Sequence, residues 1–427
     1  MIVLLGASLR FQAVSGTVVD TPIRADARLY YLAALNLKSF GIFSISMPSS
    51  TVTPDAIVPP GVSLMLMPFL DPFTDRMLLR FNLYQVILST LTILAAYALC
   101  HLLAGRGVAL GVALLTAIAP HLISFTTYLL TETQFTFLLL FGLLGLAWGI
   151  RRERSGWAVV GGLLLGLSAL TRSTTEYLPL FLAPFLFRSM GLRPFLRIGL
   201  PALGTALAVI VAWKLRNLAA IGMLSDPYLA TNTILHGMYP DFMFNGMPES
   251  YGFPYRYDPF AAQTHTSGEV LRELFRRAGE NPLTYVYWYL IGKPMTFLSW
   301  NIIGGVGGIF VYPVTTSPYL TSSLFQITEN IAACLHFPLT IAALAGCGIV
   351  LFRPHMLGLN EDNRRVALLI VAVILYFLVL HMIGAPFPRY SVPLRPIVYS
   401  LGLFTLTALG KTLPSRLAAL RKRIGKS

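Results

Sequence analysis

The chain has 427 residues, 55% of them hydrophobic and only 12% charged, with a mean hydropathy of +0.68. A soluble domain carries about twice that charge fraction, so the composition excludes a soluble globular protein and indicates a polytopic membrane protein. The formal charge of +14 does not call for nucleic acid, because the lysines and arginines sit in short clusters between apolar runs and at the C-terminus.

A spanning helix needs about 20 mostly apolar residues. The chain predicts spans near 1–18, 79–104, 107–127, 132–150, 157–171, 175–190, 197–218, 328–352, 366–385 and 391–410. The stretches 59–70 and 284–313 are apolar but ambiguous. The expected architecture is an all-α, single integral membrane domain over 1–427 with about 11 transmembrane helices. The first span is weak: Met1 runs straight into Ile2 with no basic flank, and Arg10 and Gln12 interrupt it. Either this helix is short or the true start lies upstream; a secretory signal peptide would show a charged first region and a small-residue cleavage site. Cys100, Cys334 and Cys347 lie in apolar runs and offer neither a disulfide framework nor a zinc spacing.

Basic loops orient the spans. Arg151 to Arg154, then Arg188, Arg193, Arg197, Arg353, Arg364 and Arg365, and finally Lys411 to Lys426 belong inside. The segments 19–78, 128–131, 172–174, 219–327 and 386–390 are then outside, so 284–313 must begin and end on the outer face. It is re-entrant or interfacial, unless it contains two short spans.

The first outer segment has helical periodicity, with Tyr30, Ala33, Ala34, Leu37 and Ile42 on one face and Asp26, Arg28 and Lys38 elsewhere. It reads as an amphipathic surface helix, left through Pro54 and Pro59-Pro60-Gly61. The outer region 221–283 is rich in aromatics and reads as a folded loop, with Ser267 capping a helix over 268–279. Tyr239, Phe242, Phe253, Tyr255 and Tyr257 are read as packing that loop, with sugar stacking as the alternative.

Several charges break the positive-inside pattern. Arg172, Arg216, Arg389 and Arg395 fall at outer helix ends, on the side of Asp26. Charges at such positions are costly and face a cavity, a partner or a substrate. Arginine's planar fork suits phosphate, and Lys293 could add a point charge. The plainer alternative is that each base reaches the headgroups or pairs with Glu132, Glu176 or Glu329. Glu132 could accept sugar hydroxyls or orient an arginine, or serve as an ordinary acid at a helix N-terminus.

In this order, the residues Asp26, Tyr30, Ala34, Asn36-Leu37, Gly41, Phe43-Ser44, Pro59-Pro60-Gly61, Thr131-Glu132, Gly162 through Arg172, Trp213 through Asn217 and Arg389 through Pro393 make a pattern. It resembles the polyprenyl-phosphate-sugar-dependent membrane glycosyltransferases of the C-type fold, and is similar to the protein O-mannosyltransferases and the lipid A aminoarabinose transferase. The resemblance covers nearly the whole chain. It implies an inverting transferase with juxtamembrane helices on the outer face, in the bacterial inner membrane, taking a sugar from a polyprenyl-phosphate donor to an extracytoplasmic glycan, lipid or protein acceptor. It implies Asp26 as the catalytic carboxylate; the outer charges themselves read as the substrate-binding set, with Glu132 a sugar or arginine partner, Arg216, Arg389, Lys293 and Arg172 a phosphate clamp, and Tyr30 and Tyr390 beside them.

Family members often carry Asp-Glu where this chain has Asp26-Ala27, which puts a divalent metal in doubt. Asp20 and Asp55 do not fit the spacing, and His236 and His265 are lone loop histidines. The alternative function is a transporter or flippase for lipid-linked sugars, which calls for midplane acids, broken helices or repeats; a ligase or polymerase of lipid-linked oligosaccharide lacks this motif order.

Overall fold

A computed structural model describes residues 1–47, 50–70, 76–264, 266–303 and 308–424, excepting the side chains of 412–424. His265 lies outside the described residues. Six helices are long and apolar enough to cross a membrane: Met77–Leu103, Glu132–Arg152, Leu192–Ile221, Ser323–Phe352, Glu361–Ile383 and Pro388–Lys411. Arg106–Ile118 and Pro120–Thr127, bent by 49°, make a seventh if counted as one span. Ile2–Gly16, Ser155–Thr171 and Leu178–Met190 are apolar but shorter. The expected total of about 11 includes such short helices, and length and composition alone support six or seven. Helix Glu361–Ile383 is apolar all round from Val366 to Leu380, and its run from Val366 to Ile374 is buried in the largest core cluster. A helix without a polar face belongs in the centre of a bundle.

The break near residue 119 has a local cause and a distant remedy. Pro120 has no N–H to give Thr116, so the helix ladder is interrupted there. The fully buried Arg10 fills the gap from the first helix, donating to the carbonyls of Thr116 (3.0 Å) and Ala117 (2.9 Å) and to Ser89 Oγ (2.7 Å). The residue that weakened the first span in the sequence is thus its attachment point.

Glycines set the depth of the helix that ends at Arg172. A side chain on Gly161 would begin 2.5 Å from the Leu146 nitrogen, and one on Gly162 would begin 2.0 Å from the Ala202 carbonyl. Helix Ser155–Thr171 therefore lies in backbone contact with Glu132–Arg152 on one side and Leu200–Ile221 on the other. We predict that Gly162→Leu pushes these helices apart, costs about 1–3 kcal/mol of overpacking, and lowers activity by displacing Arg172. A lowered Tm together with reduced turnover of the solubilised protein would be the check; unchanged values of both would refute it.

Helix Ala25–Phe40 buries Ala27, Tyr30, Ala33 and Ala34 and ends at Gly41 in the left-handed region (φ 71°). The chain behind it is shaped by side chains: Asn36 donates to the Ser44 and Ser46 carbonyls (both 2.8 Å), and Asp55 accepts from the Ile45 amide (2.6 Å). Gly61 then lies on Leu170 and Thr171, where a side chain would begin 2.6 Å from the Thr171 hydroxyl. This docks the Pro-Pro-Gly turn beside Arg172.

A lobe that the loop charges predict to lie outside, hence the outer lobe, holds helices Tyr228–Gly237 and Ser267–Glu280 around Leu235, Met238, Tyr239 and Val270. The second helix starts at a capping box between Thr266 and Glu269, so the expected cap at Ser267 is one residue late. Asp258 accepts from Tyr239 (2.7 Å) and Arg277 (2.7 Å). Tyr239 and Phe242 are buried, whereas Tyr257 is largely exposed. A two-stranded antiparallel pair, Val18 opposite Thr316 and Val19 opposite Val314, joins the first outer segment to the far end of the second.

Candidate active site

Four charged side chains from four separate elements meet in one cluster. Arg389 Nη2 donates to Asp26 Oδ2 at 2.6 Å. Its Nε lies 3.3 Å from Glu132 Oε1 at an angle that makes a charge contact rather than a hydrogen bond. Arg172 Nη1 donates to the same Glu132 oxygen at 3.2 Å and approaches the Thr131 hydroxyl at 3.4 Å. The result is a row of alternating sign, Asp26, Arg389, Glu132, Arg172, with no net formal charge. Tyr390 supports it, its ring centre 4.1 Å from the Arg172 guanidinium carbon and 5.5 Å from that of Arg389.

Each position follows from local structure. Glu132 is the first residue of its helix, where the amide ends favour a carboxylate. Arg172 follows the last turn of the glycine-packed helix, and Arg389 and Tyr390 occupy the tight 3₁₀ segment Pro388–Leu394. Asp26 lies in the first turn of the surface helix.

The two carboxylates differ in access. The Glu132 side chain is fully enclosed, whereas Asp26 keeps 43% of its side chain accessible. Burial pushes the Asp26 carboxyl upward, but the charge and hydrogen bond of Arg389 and the charge of Arg172 together outweigh it and hold the pKa below the usual value. Tyr30, buried beside both acids, is pushed above the ordinary phenol value first by burial and then by Asp26 and Glu132. Tyr30 therefore stays protonated.

The structure brings Asp26, Glu132, Arg172, Arg389, Tyr30 and Tyr390 together, and places Arg216 and Lys293 elsewhere. Arg216 donates to the carbonyls of Asp55 (2.8 Å) and Phe43 (3.4 Å) and lies over the Trp213 ring (4.9 Å). It fastens the loop that follows helix Ala25–Phe40 rather than joining the row. The Lys293 ammonium is buried and donates to the carbonyls of Met382 (2.8 Å), Ile383 (3.3 Å) and Gly384 (3.0 Å). It caps a helix C-terminus instead of adding a free charge.

Tyr312 was not signalled by the sequence. Its ring lies under Arg24 (5.7 Å), its hydroxyl donates to the Arg24 carbonyl (3.2 Å), and the Asp26 charge acts on it. The strand pairing of Val18–Val19 with Val314–Thr316 and the Tyr128 ring (5.5 Å) bring it there.

A divalent ion does not fit this donor set. Glu132 Oε1 already faces two guanidinium groups, leaving Asp26 as the one accessible acid, and Ala27 is fully buried in the packed core. Among the described residues no group of three His, Cys, Asp or Glu side chains is gathered. His236 instead packs on the Tyr255 ring (4.1 Å). A hollow of about 500 Å³ in the outer lobe, lined by Tyr255, Arg256 and Tyr257, involves none of the row, and its acid, Asp258, is already bonded to Tyr239 and Arg277.

No protein-family model matches the chain, and no curated protein matches its sequence. Its fold is nevertheless shared. The Archaeoglobus fulgidus oligosaccharyltransferase matches it with a TM-score of 0.54 and 15% identity in complex with Zn and sulfate, over 98% of this chain and 51% of that one. The apo form of the same enzyme gives 0.53 and 12% identity, over 99% and 52%. ArnT from Cupriavidus metallidurans, bound to undecaprenyl phosphate, gives 0.43 and 15%, over 95% and 77%. The chain spans about half the length of the oligosaccharyltransferase it matches. It is an integral, multi-pass, all-α membrane protein with the C-type glycosyltransferase fold.

Proposed function

We propose that this chain is an inverting glycosyltransferase that moves a sugar from a polyprenyl-phosphate donor to an extracytoplasmic acceptor. The observation that carries this reading is a single accessible carboxylate, Asp26, hydrogen-bonded to an arginine that also faces the enclosed acid Glu132. Asp26 takes the proton of the acceptor hydroxyl as that oxygen attacks the anomeric carbon. The new carbon–oxygen bond forms as the bond to the lipid phosphate breaks, and the phosphate leaves with the electron pair.

The charge row gives this step its timing. Before reaction the row is neutral; once Asp26 is protonated, one positive charge of Arg389 is no longer offset. That charge is released as negative charge grows on the leaving phosphate, which is the differential stabilisation catalysis needs. Arg172 and Tyr390 hold the geometry, and Glu132 keeps both guanidinium groups in the row. The outer-face location, the bacterial inner membrane and the polyprenyl donor and acceptor partners belong to the same reading, supported by the loop charges and the fold.

The experiment is transfer of a labelled sugar from a polyprenyl-phosphate donor by the purified full chain in liposomes. Label should leave the lipid fraction only with the active chain and an acceptor, with inverted anomeric configuration in the product. Release of label with retained configuration would overturn the single-base mechanism, and movement of intact donor between leaflets without transfer would favour a flippase.

A further inference from the structure

The stretch from Pro282 to Leu298 is a helix whose polarity is reversed. It runs through Pro282–Tyr287, a π turn at Trp288–Gly292, and Lys293–Phe297. Its protein-facing side carries Tyr285, Trp288, Lys293 and Phe297, all buried. The opposite side carries Leu283, Val286, Leu290, Ile291 and Met295, left 83%, 55%, 61%, 48% and 65% exposed. Between Glu280 and Glu329 the buried Lys293 is the only Asp, Glu, Lys or Arg. A contiguous apolar face of this kind is costly in water.

The contacts show which way this helix travels. Trp288 Nε1 donates to the Gly237 carbonyl of the outer lobe (3.0 Å). One turn later Lys293 holds the last carbonyls of helix Glu361–Ile383, and Phe297 stacks on His381 (4.5 Å) within that helix. The Leu298 carbonyl then meets His336 Nε2 (2.8 Å), and the Trp300 carbonyl accepts from Arg395 Nη2 (3.2 Å). His336 and Arg395 both belong to spanning helices, so the chain moves from the outer lobe into the bundle.

The return limb is treated differently. Ile309, Phe310, Val311 and Tyr312 are non-helical and buried, and the chain then pairs at Val314–Thr316 with Val18–Val19. Non-helical backbone is tolerated at membrane depth only when buried in protein, whereas a helix can face lipid because it satisfies its own backbone. One limb is helical and bare; the other is irregular and covered.

We infer that residues 282–303 and 308–313 are the two limbs of a re-entrant segment whose helical limb lies in the outer leaflet, with Leu283, Val286, Leu290, Ile291 and Met295 against acyl chains. The bare face continues the lipid-facing surface of the helix it packs on, where Val379 and Ile383 are 46% and 59% exposed. It resolves the ambiguous 284–313 stretch as one insertion with both ends outside, and it stands independently of the proposed glycosyl transfer.

The test places nitroxide labels at positions 290 and 295 of the full chain in liposomes, in a C100A, C334A, C347A background. Labels at 379, on the lipid side, and at 251, in the exposed outer lobe, are the references. At 290 and 295 oxygen should collide several-fold more often than a water-soluble nickel chelate, as at 379. Collision behaviour like that at 251 would overturn the inference. The unmodified chain provides a second measurement: a carbene-generating phospholipid should label 283–295, and absence of label there while 379 is labelled would also overturn it.

Discussion

Asp26→Asn is expected to reduce sugar transfer by about 10²–10⁴-fold, the range a positioned general base contributes, while leaving the fold and donor binding largely intact. The amide can still accept from Arg389, so the row keeps its shape; what it loses is the ability to take a proton. The pH profile gives a second signature. The Asp26 pKa is held below the ordinary carboxylate value, so turnover should persist as pH falls through the range where a free Asp titrates and decline only when pH falls through the lowered folded-state pKa. The same sign governs stability: the ion pair's contribution is complete above the unfolded-state pKa and is lost as pH falls through the folded one. Transfer assayed across acidic pH for wild type and Asp26→Asn provides the check. Full turnover by the variant, or an acid limb above the ordinary Asp range, would reject Asp26 as the base.

The largest effect on stability is expected from Glu132→Ala. Glu132 is enclosed, and its Oε1 faces both Arg172 and Arg389. Its removal leaves two buried cations sharing one half-exposed acid, and breaking a buried pair costs on the order of 3–5 kcal/mol. Glu132→Leu combined with Arg172→Leu should recover part of that loss, because no lone charge remains. Thermal unfolding of solubilised Glu132→Leu, Arg172→Leu and the double variant decides the matter. If the double variant were less stable than either single one by the full sum, Glu132 and Arg172 would not be acting as a pair.

Features that rest on local pattern were legible in the sequence, and those that rest on contact partners were not. The apolar runs located the long helices, and the arginines breaking the charge rule pointed to the helix ends where Arg172 and Arg389 meet Glu132 and Asp26. The same rule also selected Arg216 and Lys293, whose partners are backbone carbonyls. A carbonyl has no residue identity, so no sequence signal separates a helix-capping lysine from one awaiting phosphate. The kink at Pro120 was available locally, but its repair by Arg10 required knowing that the first helix lies alongside. The pairing of Val18 with Thr316 is a two-residue strand too short to carry a pattern.

The link from Arg10 to the broken helix also bears on how the chain enters the membrane. An arginine at the centre of an isolated helix costs about 2.5–3.5 kcal/mol during insertion, and here its carbonyl partners are Gly6, in its own helix, and Thr116 and Ala117, synthesised more than a hundred residues later. The first helix therefore leaves the ribosome with its most polar side chain short of the partners it will finally have. Its stable seating waits for the helix that contains the break, so the early topology of the chain is completed by a later segment rather than fixed in order of synthesis.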